Sequence, residues 1–544
     1  MLRRGPTLFF LLLSLLVAGG CWVWRRSTPW ARAQRALDRG EAADATLIAG
    51  GALAGRTWPR NREQLLRELL VESQLKLGAL ENAEKECRIL HEKFPQDPSG
   101  ALGLGILNLA FDRLSFAADY LEEARRLAPG DFRTILILAN VRLAQNDYPR
   151  ATEILEEGLK LFPARSELLE LYGDLAFDQG YFQKALARYG TVLRSVPEDR
   201  DTLFKITRAH LAAGDNESAE ASIRRLRRAP EDIEADLLLA GVRAQQGRRA
   251  EAEDLCARAY QGDHNRFQAG FSLAYWLGIR GEEERSEAIL SEINRRLPPL
   301  RSNADWSEPQ DWDSVARNFQ GRLYARGLQR DYEMARAQLD LHCHRAVDAG
   351  AHARRALDLD SNDAGVLLLL ADIARRRGDN KDRLRWIDRT VELYREHPGA
   401  LLSRGWAYLD LGRVSDAVVD AKLVSDAYPR LASAQALLSR AFLLIGRASE
   451  AVDVAERAVG LNGGDVDAQL ALGLSRSAEG KKNEAEKCFL KALEIDPFSA
   501  EARADYAWFL RGQKRLDEAK KQWMEASHLE PSVFPALGLS KIKR

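Results

Sequence analysis

The residues that could do chemistry are few, and their spacing does not suit it. His342, Cys343 and His344, with His352 nearby, form a metal-like cluster. A zinc site needs further ligands at defined spacing, and no second pair completes this one, so the chain is read as holding no metal. No phosphate-binding GxxxxGK[ST] loop, no HExxH and no GxSxG occurs. Gly103 and Gly105 make a lone GxG, better explained by close helix packing than by a nucleotide. The five cysteines, Cys21, Cys87, Cys256, Cys343 and Cys488, lie far apart without a CxxC pair, so no disulfide framework is expected. Asn216-Glu217-Ser218 fits a glycosylation acceptor, which matters only in a eukaryotic secretory pathway. The run Arg224-Arg225-Leu226-Arg227-Arg228 reads as the cationic end of a helix, where positive charge offsets the dipole. No catalytic residue and no cofactor site emerges.

The elements around these residues say more. The 544 residues exceed a single compact core, so the chain is several domains or one elongated array. Lysine plus arginine and aspartate plus glutamate balance at 80 each, which gives no global field for nucleic acid. Abundant Ala, Leu, Arg and Glu favour an all-α protein.

The N-terminus differs from the rest. Arg3 and Arg4 precede an uncharged run from Gly5 to Trp24, and Arg25 and Arg26 close it. Such a run spans roughly 30 Å as a helix, enough to cross a bilayer. Trp22 and Trp24 suit the headgroup level. Three readings stand: an uncleaved signal anchor, a secretory peptide cut before Cys21, and a lipoprotein signal. Ala18-Gly19-Gly20-Cys21 resembles the bacterial lipobox, whose cysteine is acylated, and departs from it at Ala18 where that motif prefers Leu. Arginines on both flanks leave the topology nearly balanced. A short basic start before a Leu-rich run looks like an export signal, so the body is expected outside the cytoplasm, in a periplasm-like space.

Past residue 60 one period dominates. Ala83, Ala117, Ala151, Ala185 and Ala219 recur in register, followed by Ala252, then Ala349, Ala417, Ala451, Ala485 and Ala519; Ser286 and Arg383 fill the two phases without alanine. Pro95, Pro129, Pro163, Pro197, Pro298, Pro429, Pro497 and Pro531 share a second phase and mark helix ends. Small residues such as Gly105, Gly173, Gly405 and Gly473 share a third, where two antiparallel helices can approach closely. Gly180, Gly214, Gly247, Gly281, Gly378, Gly412, Gly446 and Gly480 fall in the turn between paired helices, where a left-handed cap is wanted.

This pattern resembles the tetratricopeptide-repeat family. The resemblance implies an all-α, right-handed superhelical solenoid of antiparallel helix pairs. Seven units are expected at 64–300 and six at 330–533. A degenerate repeat or linker fills 27–63, an insertion 301–329, and a tail 534–544. Pro298, Pro299 and Pro309 make the insertion irregular; Asp313 and Ser314 can cap an extra helix carrying Val315, Phe319, Leu323 and Tyr324. Trp306 and Trp312 read as exposed loop aromatics.

The resemblance also implies that the first helix of each pair lines a concave groove. Groove phases carry Leu102, Ile106 and Leu109; Leu136, Asn140 and Leu143; Phe204, Arg208 and Leu211; Phe271 and Tyr275; Leu402, Trp406 and Leu409; and Leu470, Leu474 and Trp508. Phe204, Arg208, Phe271, Tyr275, Trp406 and Trp508 are the expected partner contacts in an apolar groove with scattered polar handles. The lysine-and-asparagine clamp of the chaperone-binding branch has no counterpart here. The expected function is a membrane-tethered, non-enzymatic scaffold for other proteins or peptides in cell-envelope assembly, export or sorting. The alternative is an adaptor subunit delivering substrate to a glycosyltransferase or protease.

Overall fold

A computed structural model of the chain describes residues 28–229, 232–300 and 311–530. The N-terminal run with Cys21, and Trp306, lie outside the described residues. Within them the chain forms 28 helices and no strand. No helix among the described residues is long and apolar enough to cross a membrane.

The helices pair. A 13-residue first helix (A) and a 14-residue second helix (B) alternate through most of the chain, as in Phe132–Ala144 with Tyr148–Leu161 and Val466–Ala478 with Lys482–Ile495. The periodic alanine is the fourth residue of its B helix, Ser286 and Arg383 taking that place in two of them, and Ala83, Ala151, Ala349 and Ala485 have no exposed surface. Opposite it, the small A-helix residue makes room for a large B-helix side chain. A Cβ on Gly173 would come 2.4 Å from the Tyr189 ring, and one on Gly105 2.7 Å from Leu121. Such contacts leave no space for even a methyl group.

The turn between A and B needs a left-handed residue. Ten turns use glycine; Asp112, Asn146, His344 and Lys514 take the same conformation at the same phase, with φ near 60°. His344 is thus explained by turn geometry, and no group of three His, Cys, Asp or Glu side chains suited to a metal occurs among the described residues. Aspartates cap the A helices. Asp131, Asp199, Asp363 and Asp465 each accept a hydrogen bond from a backbone N–H three residues on, which satisfies a donor the helix itself cannot. A further pair, Pro29–Asp38 with Ala42–Gly55, precedes the regular array and keeps Ala45 at the alanine phase.

The insertion is built differently from its expected form. Its helix does not end before the next repeat. Trp312–His342 is one continuous helix of 31 residues, so the inserted segment and the following A helix are fused. The cap is Asp311, which accepts from Ser314 N at 2.6 Å while its own N–H donates to Ser314 Oγ at 2.7 Å. Asp313 lies inside the first turn. Trp312 is half-buried and not an exposed loop residue.

The chain divides into two compact units. Of the described residues, the first comprises those up to Phe162 together with those within Pro299–Tyr324; the second comprises those within Pro163–Pro298 together with those from Ala325 on. Within the second unit, later repeats stack on earlier ones in a fixed offset. The turn glycines Gly180, Gly214 and Gly247 abut His397, Arg430 and Gly464 respectively. The Tyr428 hydroxyl donates to the Gly180 carbonyl at 2.8 Å, and Arg249 donates to the Ile495 carbonyl at 2.7 Å.

Candidate interaction grooves

Equivalent residues of successive A helices are neighbours. The Arg440 guanidinium, on the ninth residue of its A helix, lies 5.6 Å from the ring of Trp406, the ninth residue of the preceding one. Arg208, also ninth, lies 4.8 Å from the Phe177 ring on the preceding A helix. Within each unit, a strip of side chains along the A helices can therefore be followed from repeat to repeat.

In the first unit part of this strip is apolar and covered, while Asn140 on a later A helix keeps solvent contact. The A helix Pro98–Ala110 carries no charged residue and is buried nearly all round. Its groove-phase residues Ile106 and Leu109 are 1% and 0% exposed. A helix apolar on every side must be covered on every side. The cover includes the start of the long helix, Trp312 to Tyr324, where Val315 and Phe319 are buried. A Cβ on Gly103 would stand 3.2 Å from the Trp312 ring and 2.6 Å from Cys87 Sγ. Arg322 donates to the carbonyls of Leu109 and Ala110, and Arg133 pairs with Asp313. The GxG at 103–105 is thus a pair of packing notches.

In the second unit the strip is charged and reaches water. Of the six expected contacts, Arg208 and Tyr275 are exposed. Phe204, Phe271, Trp406 and Trp508 are half-buried; the first three pack against core clusters, while Trp508 meets Trp523 edge-on at 5.6 Å. Tyr275 meets Trp276 and His342 edge-on at 5.5 and 5.3 Å. Between the aromatics lie ion pairs that the groove phases were not expected to supply. Lys205 bridges Glu170 and Asp174 at 3.0 and 2.9 Å. Arg440 pairs with Asp505 at 2.8 Å and with Glu501 at 3.1 Å. Arg330 reaches Asp363 at 3.0 Å, and Arg375 pairs with Asp372 at 2.8 Å. Asp174, Asp372 and Arg440 occupy the same ninth position that drew attention to Tyr275 and Trp406. Their phase marks them in the sequence as clearly as it marks the aromatics, although charge at a groove position is a weaker signal of a partner than a large apolar side chain.

Enclosure shifts the acids of this strip. The Asp178 carboxyl keeps contact with solvent but is walled in by protein; loss of water and the neighbouring Asp363 push it up to about 7, against the pull of Arg208. Burial likewise raises Asp467 and Asp505, although Arg440 opposes both shifts. At Asp372 desolvation works upward, but Arg375 and Arg376 outweigh it and hold the carboxyl below its usual range. Burial also pushes the Cys87 thiol far up and Cys256 up to about 12, which disfavours their thiolate form.

Repeated helix pairs whose A helices bring side chains of neighbouring repeats together define a helical-repeat scaffold. Three family models of the tetratricopeptide repeat match, at residues 137–200, 173–232, 204–266, 368–424 and 402–466, at 466–499, and at 488–521. The chain belongs to the tetratricopeptide-repeat family, and its repeats make it a protein–protein interaction scaffold. A comparison with curated proteins returns no match. Similar solved structures include the Cut9–Hcn1 hetero-tetramer of the APC/C, at 13% identity over 91% of this chain and 97% of that one, TM-score 0.44. A tetratricopeptide repeat protein from Parabacteroides merdae aligns at 16% identity over 50% of this chain and 97% of its own, TM-score 0.37. A thermophilic protein of the same kind from Thermus thermophilus aligns at 23% over 32% and 94%, TM-score 0.29.

Proposed function

We propose that this chain is a membrane-tethered scaffold that holds partner polypeptides along its A-helix strips, outside the cytoplasm, in envelope assembly, export or sorting. The observation that carries the binding role is the strip of the second unit. It sets exposed Tyr275 and Arg208 among fixed ion pairs, so apolar contact and charge complementarity are offered side by side. Arg208, Tyr275 and Trp406 are assigned as partner contacts, with Phe204, Phe271 and Trp508 shaping the surface around them. The tether rests on the uncharged run Gly5 to Trp24 between its arginine pairs. The repeats bury their own faces and need no lipid. Deleting residues 1–26 is therefore expected to release the protein from membranes while its helical circular dichroism and melting temperature hold. A truncated chain that still sediments with membranes would refute the tether.

A further inference from the structure

We propose that the strip of the first unit is a helix-binding site, held occupied by the chain's own residues 312–324, and that its external ligand is an amphipathic helix of the same chemistry. This goes beyond the reading of the second unit's strip and does not depend on the tether.

The segment sits where a ligand would. It lies against the Gly103 notch and the Leu109 carbonyl of an A helix whose ninth residue, Ile106, is out of water, whereas the equivalent ninth-position residues Asn140, Arg208 and Tyr275 retain solvent contact. Trp312, Val315 and Phe319 follow i, i+3, i+7 spacing, which puts them on one helix face. Their side chains are half-buried, 0% and 3% exposed, while Asp313, Arg317, Gln320 and Tyr324 are exposed. An amphipathic helix lying on an apolar strip is a known mode of partner recognition. The seat is selective. Trp312 fits the notch that Gly103 leaves. Arg322 donates to the carbonyls of Leu109 and Ala110 at the end of Pro98–Ala110, where the helix dipole favours a cation. Arg133 holds Asp313 at the other end.

The segment also reaches this seat as a tethered ligand would. Residues 163–298 belong to the other unit, and the chain returns only afterwards to lay 312–324 on the strip. Such a segment binds its seat intramolecularly, at an effective concentration set by the connecting chain, and an untethered helix competes only if it binds better or if the segment is weakened. The expected partner helix therefore carries an aromatic residue, apolar residues three and seven positions on, and an arginine ten positions on.

A fluorescein-labelled peptide of residues 311–324 tests this on the full-length protein. Wild-type protein should bind it weakly. The Val315→Glu/Phe319→Glu variant, which weakens the internal ligand and leaves the strip intact, should bind it at least tenfold more tightly. Adding Ile106→Glu to that variant should abolish the gain. Equal binding by wild type and variant, or none by either, overturns the proposal. Hydrogen exchange on the wild type gives an independent reading. Amides of 312–324 should exchange at least tenfold faster than those of 98–110, because the segment opens by itself. Equal rates would make the segment an integral part of the fold and would likewise overturn the proposal.

Discussion

The A-helix strips of the two units are built from the same repeat and have opposite chemistry. In the first unit Ile106 and Leu109 are removed from water, and the start of the long helix lies against this A helix at Gly103 and the Leu109 carbonyl. In the second the equivalent phases hold Asp174, Arg208, Tyr275, Asp372 and Arg440, and most of these carry ion pairs in contact with solvent. The repeat fixes where a side chain points; the residue chosen at that phase decides what happens next. An apolar strip is not left open to water, and here the chain itself supplies part of the cover. A charged strip can stay open because its groups are hydrated and paired.

The sharpest way to break this comparison is to unbalance the charged strip. Arg440→Ala leaves Asp505, only 6% exposed, without its cation. Losing one partner of a buried pair is expected to cost about 3 kcal/mol, read as a fall in the urea midpoint at pH 7. The double variant Arg440→Met/Asp505→Leu should recover most of the loss. If the single variant is neutral, the strip is wetter than its geometry implies.

A smaller effect is expected where helices touch. Gly173→Leu must displace the Tyr189 ring and should destabilise its unit by roughly 1–3 kcal/mol through overpacking. In a one-dimensional array the damage should stay near that repeat. Hydrogen exchange rising evenly along the chain would contradict this.

The smallest effect is acid-dependent. His397 caps the helix Pro398–Asp410 by accepting the Ala400 N–H at 3.2 Å, so it must be neutral. Burial lowers its pKa to about 4 from the ordinary 6.5, with Asp363 opposing. Between those values the unfolded chain takes up a proton that the folded chain refuses, so stability falls as pH drops from 6.5 towards 4. His397→Asn keeps an oxygen acceptor at the cap. Its melting temperature should fall less between pH 7 and pH 4.5 than that of the wild type; equal falls would show that other groups control the slope.

How much of this was legible in the sequence follows from range. The period is local and repeated, so helix pairing, the buried alanine and the turn glycines can be read directly. Asp112, Asn146, His344 and Lys514 take the glycine conformation without being glycine, and only their phase betrays them. The charged strip was equally visible by phase, at Asp174, Asp372 and Arg440. The destination of residues 312–324 was not, because Arg322 meets Leu109 across more than two hundred residues and no periodicity links them. The same holds for Tyr428 on Gly180.

The central claim is that partners bind along the A helices. A photocrosslinking residue placed at Tyr275 or Arg208, and in a control at the exposed B-helix residue Leu490, tests it most directly in the full-length protein in living cells. Discrete protein adducts are expected from Tyr275 and Arg208, lost when that strip is mutated at Trp406, and none from Leu490. Equal adducts from all three positions, or adducts from Leu490 alone, would contradict it.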